Sequence, residues 1–451
     1  MLDIMFTRDG SGTEGPSGFV EVQAAPHPPH RAGGSPDSGR SAAQPEDLGA
    51  RAGGAAETFA VDYRIECKAS EIDRAARDLA LEQTVEFPYD LLPDAIAATM
   101  AGRVLSAERA DAKAFHVRVS YPVEATGREF TQFLNVLFGN TSLQPNVRVE
   151  NIDLAADLLG VSGPRFGTDG VRRLVGAESR PLVATALKPL GLDVRELASL
   201  AHRFALGGID IIKDDHGVTN QSPAPFRERV KRCAEAVDRA NRETGGHSLY
   251  VANVSADFDE ILERALVARD AGAGGLLLAP GLVGFSALQT IAGRDDLSLP
   301  IMSHPALVGG WLASPRAGMS HRVLLGTLQR LAGADMVIFP HASGRFSFTL
   351  EDCADLVRGL GEPKAGLRPA LPVPAGGMAL SRISEILGAY GPDTVLLIGG
   401  DLFRHGSDLQ STARQFRSAV DGWPHSQSAN PIPPSPARPT PDAHETRRSD
   451  L

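Results

Sequence analysis

The sequence predicts an α/β protein in which a smaller α+β domain precedes a C-terminal (β/α)8 TIM barrel. Three observations carry that expectation. From about residue 180, short apolar runs alternate with helical stretches roughly eight times. The runs are apolar throughout, as in strands covered on both faces. Polar residues and glycine pairs follow those runs directly, where barrels keep their functional loops.

The elements follow in order. Residues 1–57 are rich in Gly, Pro, Ser and Ala and cannot bury enough apolar surface to offset ordering entropy, so they read as a disordered tail. Residues 424–451, with Pro431-Ile432-Pro433-Pro434, read the same way, and His27, His30, His425 and His444 fall in these tails. Between residues 58 and 160, Phe59–Cys67 and Phe115–Tyr121 alternate like half-buried strands, while 70–81 carries apolar residues at helical spacing. Residues 161–423 hold the barrel. Its candidate strands are Leu182–Leu187, Ile209–Lys213, Leu249–Val254, Gly275–Ala279, Pro300–His304, Met336–Pro340, Pro369–Pro372 and Thr394–Ile398. Helices are expected at Val194–Ala205, Phe226–Asn241, Asp259–Ala271 and Val323–Leu331. An open doubly wound sheet is the alternative, but no GxGxxG fingerprint follows the first strand.

Composition removes several classes of partner. The 451 residues carry a formal charge of −10, which argues against binding nucleic acid through its phosphates. Three scattered cysteines, Cys67, Cys233 and Cys353, form neither a disulfide framework nor a zinc site and suit a reducing cytoplasm. No apolar run is long enough to span a membrane, and the first residues lack the pattern of a secretory signal.

The strand ends concentrate the chemistry. Lys188 follows the first strand, Lys213-Asp214-Asp215-His216 the second and Asn253 the third. His304 follows the fifth, and His341 and Arg345 the sixth. Gly376-Gly377 and Gly399-Gly400 follow the seventh and eighth. Paired glycines let backbone N–H groups approach a phosphate closely; tight turns needing positive φ are the alternative. Asp401, beside the second pair, would repel a phosphate unless it points away. On a pleated strand Lys213 and Asp215 face the same way. A neutral buried lysine can take up carbon dioxide as a carbamate, an oxygen ligand suited to Mg²⁺. A buried Lys–Asp ion pair explains the same spacing, and both readings stand at this point.

These segments resemble the RuBisCO large-chain family and, within it, the RuBisCO-like (type IV) proteins. The resemblance runs in order from about 60 to 420 through Ala186-Leu187-Lys188-Pro189-Leu190-Gly191, Gly207–Asp215, Val251–Ala256, Ser303-His304-Pro305-Ala306, Val373–Gly377 and Leu397–Gly400. It implies that Lys213 (as carbamate), Asp215 and His216 hold Mg²⁺. Lys188 then moves a proton, assisted by His304 or His341, while Asn140, Asn253, Arg345 and the glycine pairs bind substrate. Arg345 suits a carboxylate or phosphate, with a structural salt bridge equally open. Ala80–Glu86 and Leu137–Leu143 resemble segments that reach a neighbouring subunit's site. Glu82 and Asn140 would then act across a homodimer or an assembly of dimers.

The departures from that family reject carbon fixation. A carboxylase has a second lysine two residues after the first and another in the loop after strand six. Here those stretches read Lys188-Pro189-Leu190-Gly191 and Phe339–Phe348, without either. The third metal ligand, normally Glu, is His216, which lowers the negative charge of the site and softens its preference for Mg²⁺. What remains suits an enediolate of a small phosphorylated sugar or sugar acid. The segments EQTVEFP, LFGNTSLQPNV, IKDDHG and IFPHASGRF resemble most closely the branch with 3-oxo-isoapionate-4-phosphate decarboxylase, which forms L-erythrulose 1-phosphate and carbon dioxide. The alternatives are a 5-methylthioribulose-1-phosphate isomerase or enolase-type reaction of methionine salvage, and a non-catalytic binding or regulatory protein.

Overall fold

Two patterns of alternation organise the chain. In the computed structural model, which describes residues 57–424 apart from 343 and 345, β1 (Thr58–Glu66), β2 (Arg103–Arg109), β3 (Ala114–Pro122) and β4 (Val147–Asp153) form an antiparallel sheet. One face of β1 and β3 is apolar (Val61, Tyr63 and Ile65 with Val117, Val119 and Tyr121) and packs on helices Ile72–Glu82 and Phe130–Phe138. Buried Tyr121 and Tyr63 satisfy their hydroxyls in series: Tyr121 donates to Tyr63 Oη, which donates to the Leu137 carbonyl. The expectations for the two tails, their four histidines included, and for Arg345 fall outside the described residues.

The second pattern is the closed parallel barrel. Its strands are β5 (Leu182–Leu187), β6 (Ile211–Asp214), β7 (Leu249–Asn253), β8 (Gly275–Leu278), β9 (Ile301–Ser303), β11 (Met336–Pro340), β12 (Leu371–Ala375) and β13 (Val395–Ile398). Alternation splits their apolar residues into two cores. Leu182, Ala184, Ile211, Val251, Leu277, Met302, Met336, Ile338, Leu371, Val373, Val395 and Leu397 fill the interior, plugged below by Val171 and Val175 of helix Gly167–Leu174. Residues of opposite parity, such as Val183, Ile212, Ala252 and Phe339, face the outer helices. A short extra strand, β10 (Gly318–Met319), leaves the barrel region and pairs with β4, docking the antiparallel sheet onto it.

Two expected elements differ. The seventh barrel strand runs two to three residues later than Pro369–Pro372, and its prolines do not end it. The Leu371 N–H donates to Asp335 on the β11 side. Pro372 and Pro374 therefore face β13, where the ladder falls to the single pair Ala375↔Leu397. The helix expected at Val323–Leu331 begins as a π-helical stretch, Arg322–Thr327, before α-helix Leu328–Leu331. Gly326 there lies so close to Gly359 of helix Leu350–Gly361 that a Cβ would meet backbone at 2.9 Å.

Candidate active site

Parity decides which strand-end residues look into the barrel mouth. The inward series of β6 continues from Ile211 to Lys213 and Asp215, that of β5 to Lys188, that of β7 to Asn253 and that of β9 to His304. The series converge: Lys188 Nζ lies 2.9 Å from Asp215 Oδ1, and His216 Nδ1 lies 3.5 Å from the same oxygen. The His216 and His304 rings stack with centroids 4.0 Å apart.

Their environments set their charges. Lys213 is buried and donates from Nζ to the Asp214 carbonyl at 2.8 Å. Burial, reinforced by the Lys188 charge, pulls its amine down to about 8 against the attraction of Asp215 and Asp214. Burial pushes the Asp215 carboxyl up, but hydrogen bonds from His216 and Lys188 and the lysine charges outweigh it and hold it well below the usual carboxylate range. Burial also holds His304 neutral, its imidazole pulled down to about 2, with the charges of Lys213 and His216 adding to the effect. The His304 Nδ1 accepts from the Ala306 N–H, which leaves Nε2 to carry the ring proton.

Asp214, of opposite parity, anchors the outside of this strand end. Its carboxylate accepts from Arg229 Nε (3.2 Å), Tyr250 Oη (2.8 Å) and the Asn253 N–H (3.0 Å), all fully buried. Asn253 braces the following loop: its Nδ2 donates to the carbonyls of His216 and Val218, and its Oδ1 accepts from the Ser255 N–H. The side-chain amide expected to meet substrate is thus engaged by the loop after β6. Asp214, Arg229 and Tyr250 were not singled out in the sequence, since a buried pair on the outer face has no spacing signature.

A second cluster surrounds the glycine loops. Gly376 and Gly377 have φ of 87° and 69°, and a Cβ at Gly376, Gly399 or Gly400 would enter open space. Asp401 turns away from that space: its Oδ2 accepts from the Leu380 N–H at 3.3 Å and lies 3.1 Å from His405 Nε2, which removes the repulsion its position suggested. His341 is buried, with Nδ1 2.7 Å from Tyr390 Oη and Nε2 3.4 Å from Arg382 Nη2. Arg382, overlooked in the sequence, also donates to the Gly377 carbonyl at 3.3 Å. A basic residue five positions beyond the glycine pair was the available signal. Glu82 and Asn140 lie on the antiparallel domain, where Asn140 Nδ2 donates to Glu82 Oε1 (3.0 Å) and to Glu86 Oε1 (3.3 Å).

Among the described residues no three His, Cys, Asp or Glu side chains converge as a metal site. Asp215 and His216 supply two donors, so a three-donor site at this strand end needs Lys213. Its lowered amine reaches the neutral form, the one that can become a carbamate, more readily than an exposed lysine, and a carbamate there would complete an oxygen and nitrogen donor set of the kind that suits a divalent cation.

An α+β domain fused to a TIM barrel, with a buried lysine beside a carboxylate on the second strand and glycine pairs after the last two, defines the class: a TIM-barrel protein with its polar side chains gathered at the strand ends. Residues 167–442 match the family of the ribulose bisphosphate carboxylase large chain, catalytic domain, and the chain belongs to that family as a RuBisCO-like protein. It is 39% identical to the 5-methylthioribulose-1-phosphate isomerase of Rhodospirillum rubrum, over 80% of this chain and 95% of that one. It is 31% identical to the 2,3-diketo-5-methylthiopentyl-1-phosphate enolase of Bacillus licheniformis, over 71% and 80%. The solved structure of a RuBisCO-like protein from Rhodopseudomonas palustris superposes with a TM-score of 0.72 at 38% identity, covering 80% of this chain and 97% of that one.

Proposed function

We propose that this protein moves a proton at the carbon beside the carbonyl of a phosphorylated ketose, through an enediolate, with 5-methylthioribulose 1-phosphate as its substrate. The observation that carries the proposal is Lys188, whose amine lies 2.9 Å from Asp215 at the rim of the inward cluster. Partly exposed to the mouth, this lysine is a base when neutral and an acid once protonated. A proton taken from one carbon and returned to its neighbour, with the hydroxyl proton passing from one enediolate oxygen to the other, completes an isomerisation without any redox partner. His304, neutral with its proton on Nε2, donates a hydrogen bond to an enediolate oxygen without adding charge. Mg²⁺, held by Asp215, His216 and carbamylated Lys213, would supply positive charge to the two enediolate oxygens. The glycine loops after β12 and β13 take the phosphate.

The names of the relatives favour isomerase or enolase chemistry over the decarboxylase expected from short segments. Decarboxylation of 3-oxo-isoapionate 4-phosphate reaches an enediolate from the other side and needs the same residues, so it is the second reading. A homodimer fits both, with Glu82 and Asn140 presented to the neighbouring subunit. Exposed Phe87, Tyr89, Leu91 and Ile96 next to them are apolar surface of the kind an interface covers.

The test supplies purified protein with Mg²⁺ and bicarbonate and either substrate in D2O. Deuterium incorporation and product from 5-methylthioribulose 1-phosphate, lost in Lys188→Ala and Lys213→Ala, supports the first reading. Carbon dioxide release from the sugar-acid phosphate instead transfers the protein to the carboxy-lyases. Silence with both overturns the enediolate proposal and favours a binding or regulatory role.

A further inference from the structure

We propose that Arg382 is the cation that receives the substrate's phosphate at the glycine loops, and that His341 is its positioning residue rather than a proton-transfer group. The inference rests on the reading of these loops as a phosphate site. It assigns the positive charge that backbone N–H groups alone do not supply.

The argument starts from His341. Its ring is buried and both nitrogens are engaged, Nδ1 by Tyr390 Oη at 2.7 Å and Nε2 by Arg382 Nη2 at 3.4 Å. A guanidinium has only protons to offer, so Nε2 must present its lone pair and Nδ1 must carry the hydrogen. The imidazole is then a neutral bridge, donating to Tyr390 and accepting from Arg382. Burial and the Arg382 charge both disfavour a second proton. A ring held this way has no proton to give a substrate.

Arg382, by contrast, is built to meet an anion. It sits at the end of the 3₁₀ turn Leu380–Arg382 that follows the glycine pair, and its Nη1 reaches the Gly377 carbonyl at 3.3 Å. Its side chain is 25% exposed, so the guanidinium is held but not sealed. Beside it, Gly376 holds a left-handed conformation with open space where a Cβ would stand. The carboxylate that directly follows the second glycine pair, Asp401, is turned onto the Leu380 N–H. One competitor remains: Glu385 accepts from Arg382 Nε at 3.1 Å and Nη2 at 2.9 Å and is itself largely exposed. An exposed pair of this kind is weak. Glu385 therefore holds the guanidinium in place while the site is empty and yields when a phosphate arrives.

Inorganic phosphate is the probe, titrated calorimetrically into the full-length protein. Loss of a charge-assisted hydrogen bond worth about 1.5–3 kcal/mol predicts that Arg382→Gln weakens phosphate binding about 10- to 100-fold. Arg382→Lys should recover part of it, since the charge returns without the fork. Glu385→Gln separates a receptor from a structural ion pair: the receptor reading predicts tighter phosphate binding, a purely structural pair unchanged or weaker binding. His341→Gln should raise KM for the phosphorylated substrate more than it lowers kcat. A kcat loss of about 100-fold with unchanged KM is the mark of general acid–base catalysis and would overturn the assignment. Phosphate affinity unchanged in Arg382→Gln, with the melting temperature preserved, would also overturn it. Because the titration needs no turnover, its failure is distinct from failure of the proposed isomerisation.

Discussion

Replacing Asp214 with alanine removes the partner of three buried donors at once. The Arg229 guanidinium loses its counter-charge, and the Tyr250 hydroxyl and Asn253 N–H lose their acceptor. Arg229 retains bonds to the carbonyls of Thr219 and Ala224, so its charge stays partly solvated by dipoles. Breaking a buried ion pair from one side costs about 3–5 kcal/mol, and an orphaned hydroxyl or amide adds about 1–3 kcal/mol each where water cannot reach. We therefore expect Asp214→Ala to lose at least about 4 kcal/mol, or to fail to accumulate as folded protein. The conservative Asp214→Asn retains an acceptor but not the charge, and should lose about 2–4 kcal/mol. The assay is urea unfolding of Asp214→Asn, Arg229→Met and the double variant, followed by fluorescence. Removing both charges should cost less than the sum of the single losses by at least about 2 kcal/mol, because neither ion is then stranded. Additive losses within about 0.5 kcal/mol would refute the reasoning and place Asp214 and Arg229 in independent roles.

Four other outcomes follow from the same geometry. Asp335 Oδ1 accepts from the Phe166 and Gly167 N–H groups and Oδ2 from that of Ile301, so Asp335→Ala should destabilise the floor of the barrel by about 3–6 kcal/mol, read as a lowered urea midpoint. His304, neutral in the fold and pulled down to about 2 from the ordinary value of 6.5, stabilises the protein fully above pH 6.5. That contribution should fall as the pH drops through the window between those values, and His304→Gln should flatten the acid limb of a stability–pH curve. Activity of the unmodified protein should rise with added bicarbonate at fixed Mg²⁺, as carbamylation of Lys213 requires, and activity unchanged after carbon dioxide and bicarbonate are stripped from the buffer would remove the carbamate from the scheme. Gly376→Ala forces a left-handed backbone on a residue with a Cβ and should cost about 1–2 kcal/mol in a melt, with phosphate affinity falling further because the methyl enters the loop's open space.

Alternation and apolar continuity determine much of this protein before any contact is known. The eight barrel strands, the inward parity of Lys213 and Asp215, and the placement of lysines, histidines and glycine pairs at strand ends follow from a period of two and the chemistry of each residue. These are local properties, and β5 and β11 coincide with their expected limits residue for residue. The seventh strand shifted because the boundaries of a short strand depend on which neighbour accepts each N–H. Pro372 and Pro374 look like terminators until β13 is known to be the strand they face.

Only the tertiary structure decides what each polar residue has left to offer. Asn253 carries the right side chain for a ligand, yet its amide is taken up by the carbonyls of His216 and Val218. Asp401 reads as a repulsive neighbour of a phosphate until its hydrogen bond to the Leu380 N–H shows where it points. His341 reads as an acid or base until Arg382 and Tyr390 are found on its two nitrogens. Arg382 acquires its place through that same contact and through its bond to the Gly377 carbonyl. The physical reason is common to all four: a residue's type fixes how many hydrogen bonds it can make, whereas its availability depends on partners from distant parts of the chain. Those partners exist as neighbours only after the barrel has closed.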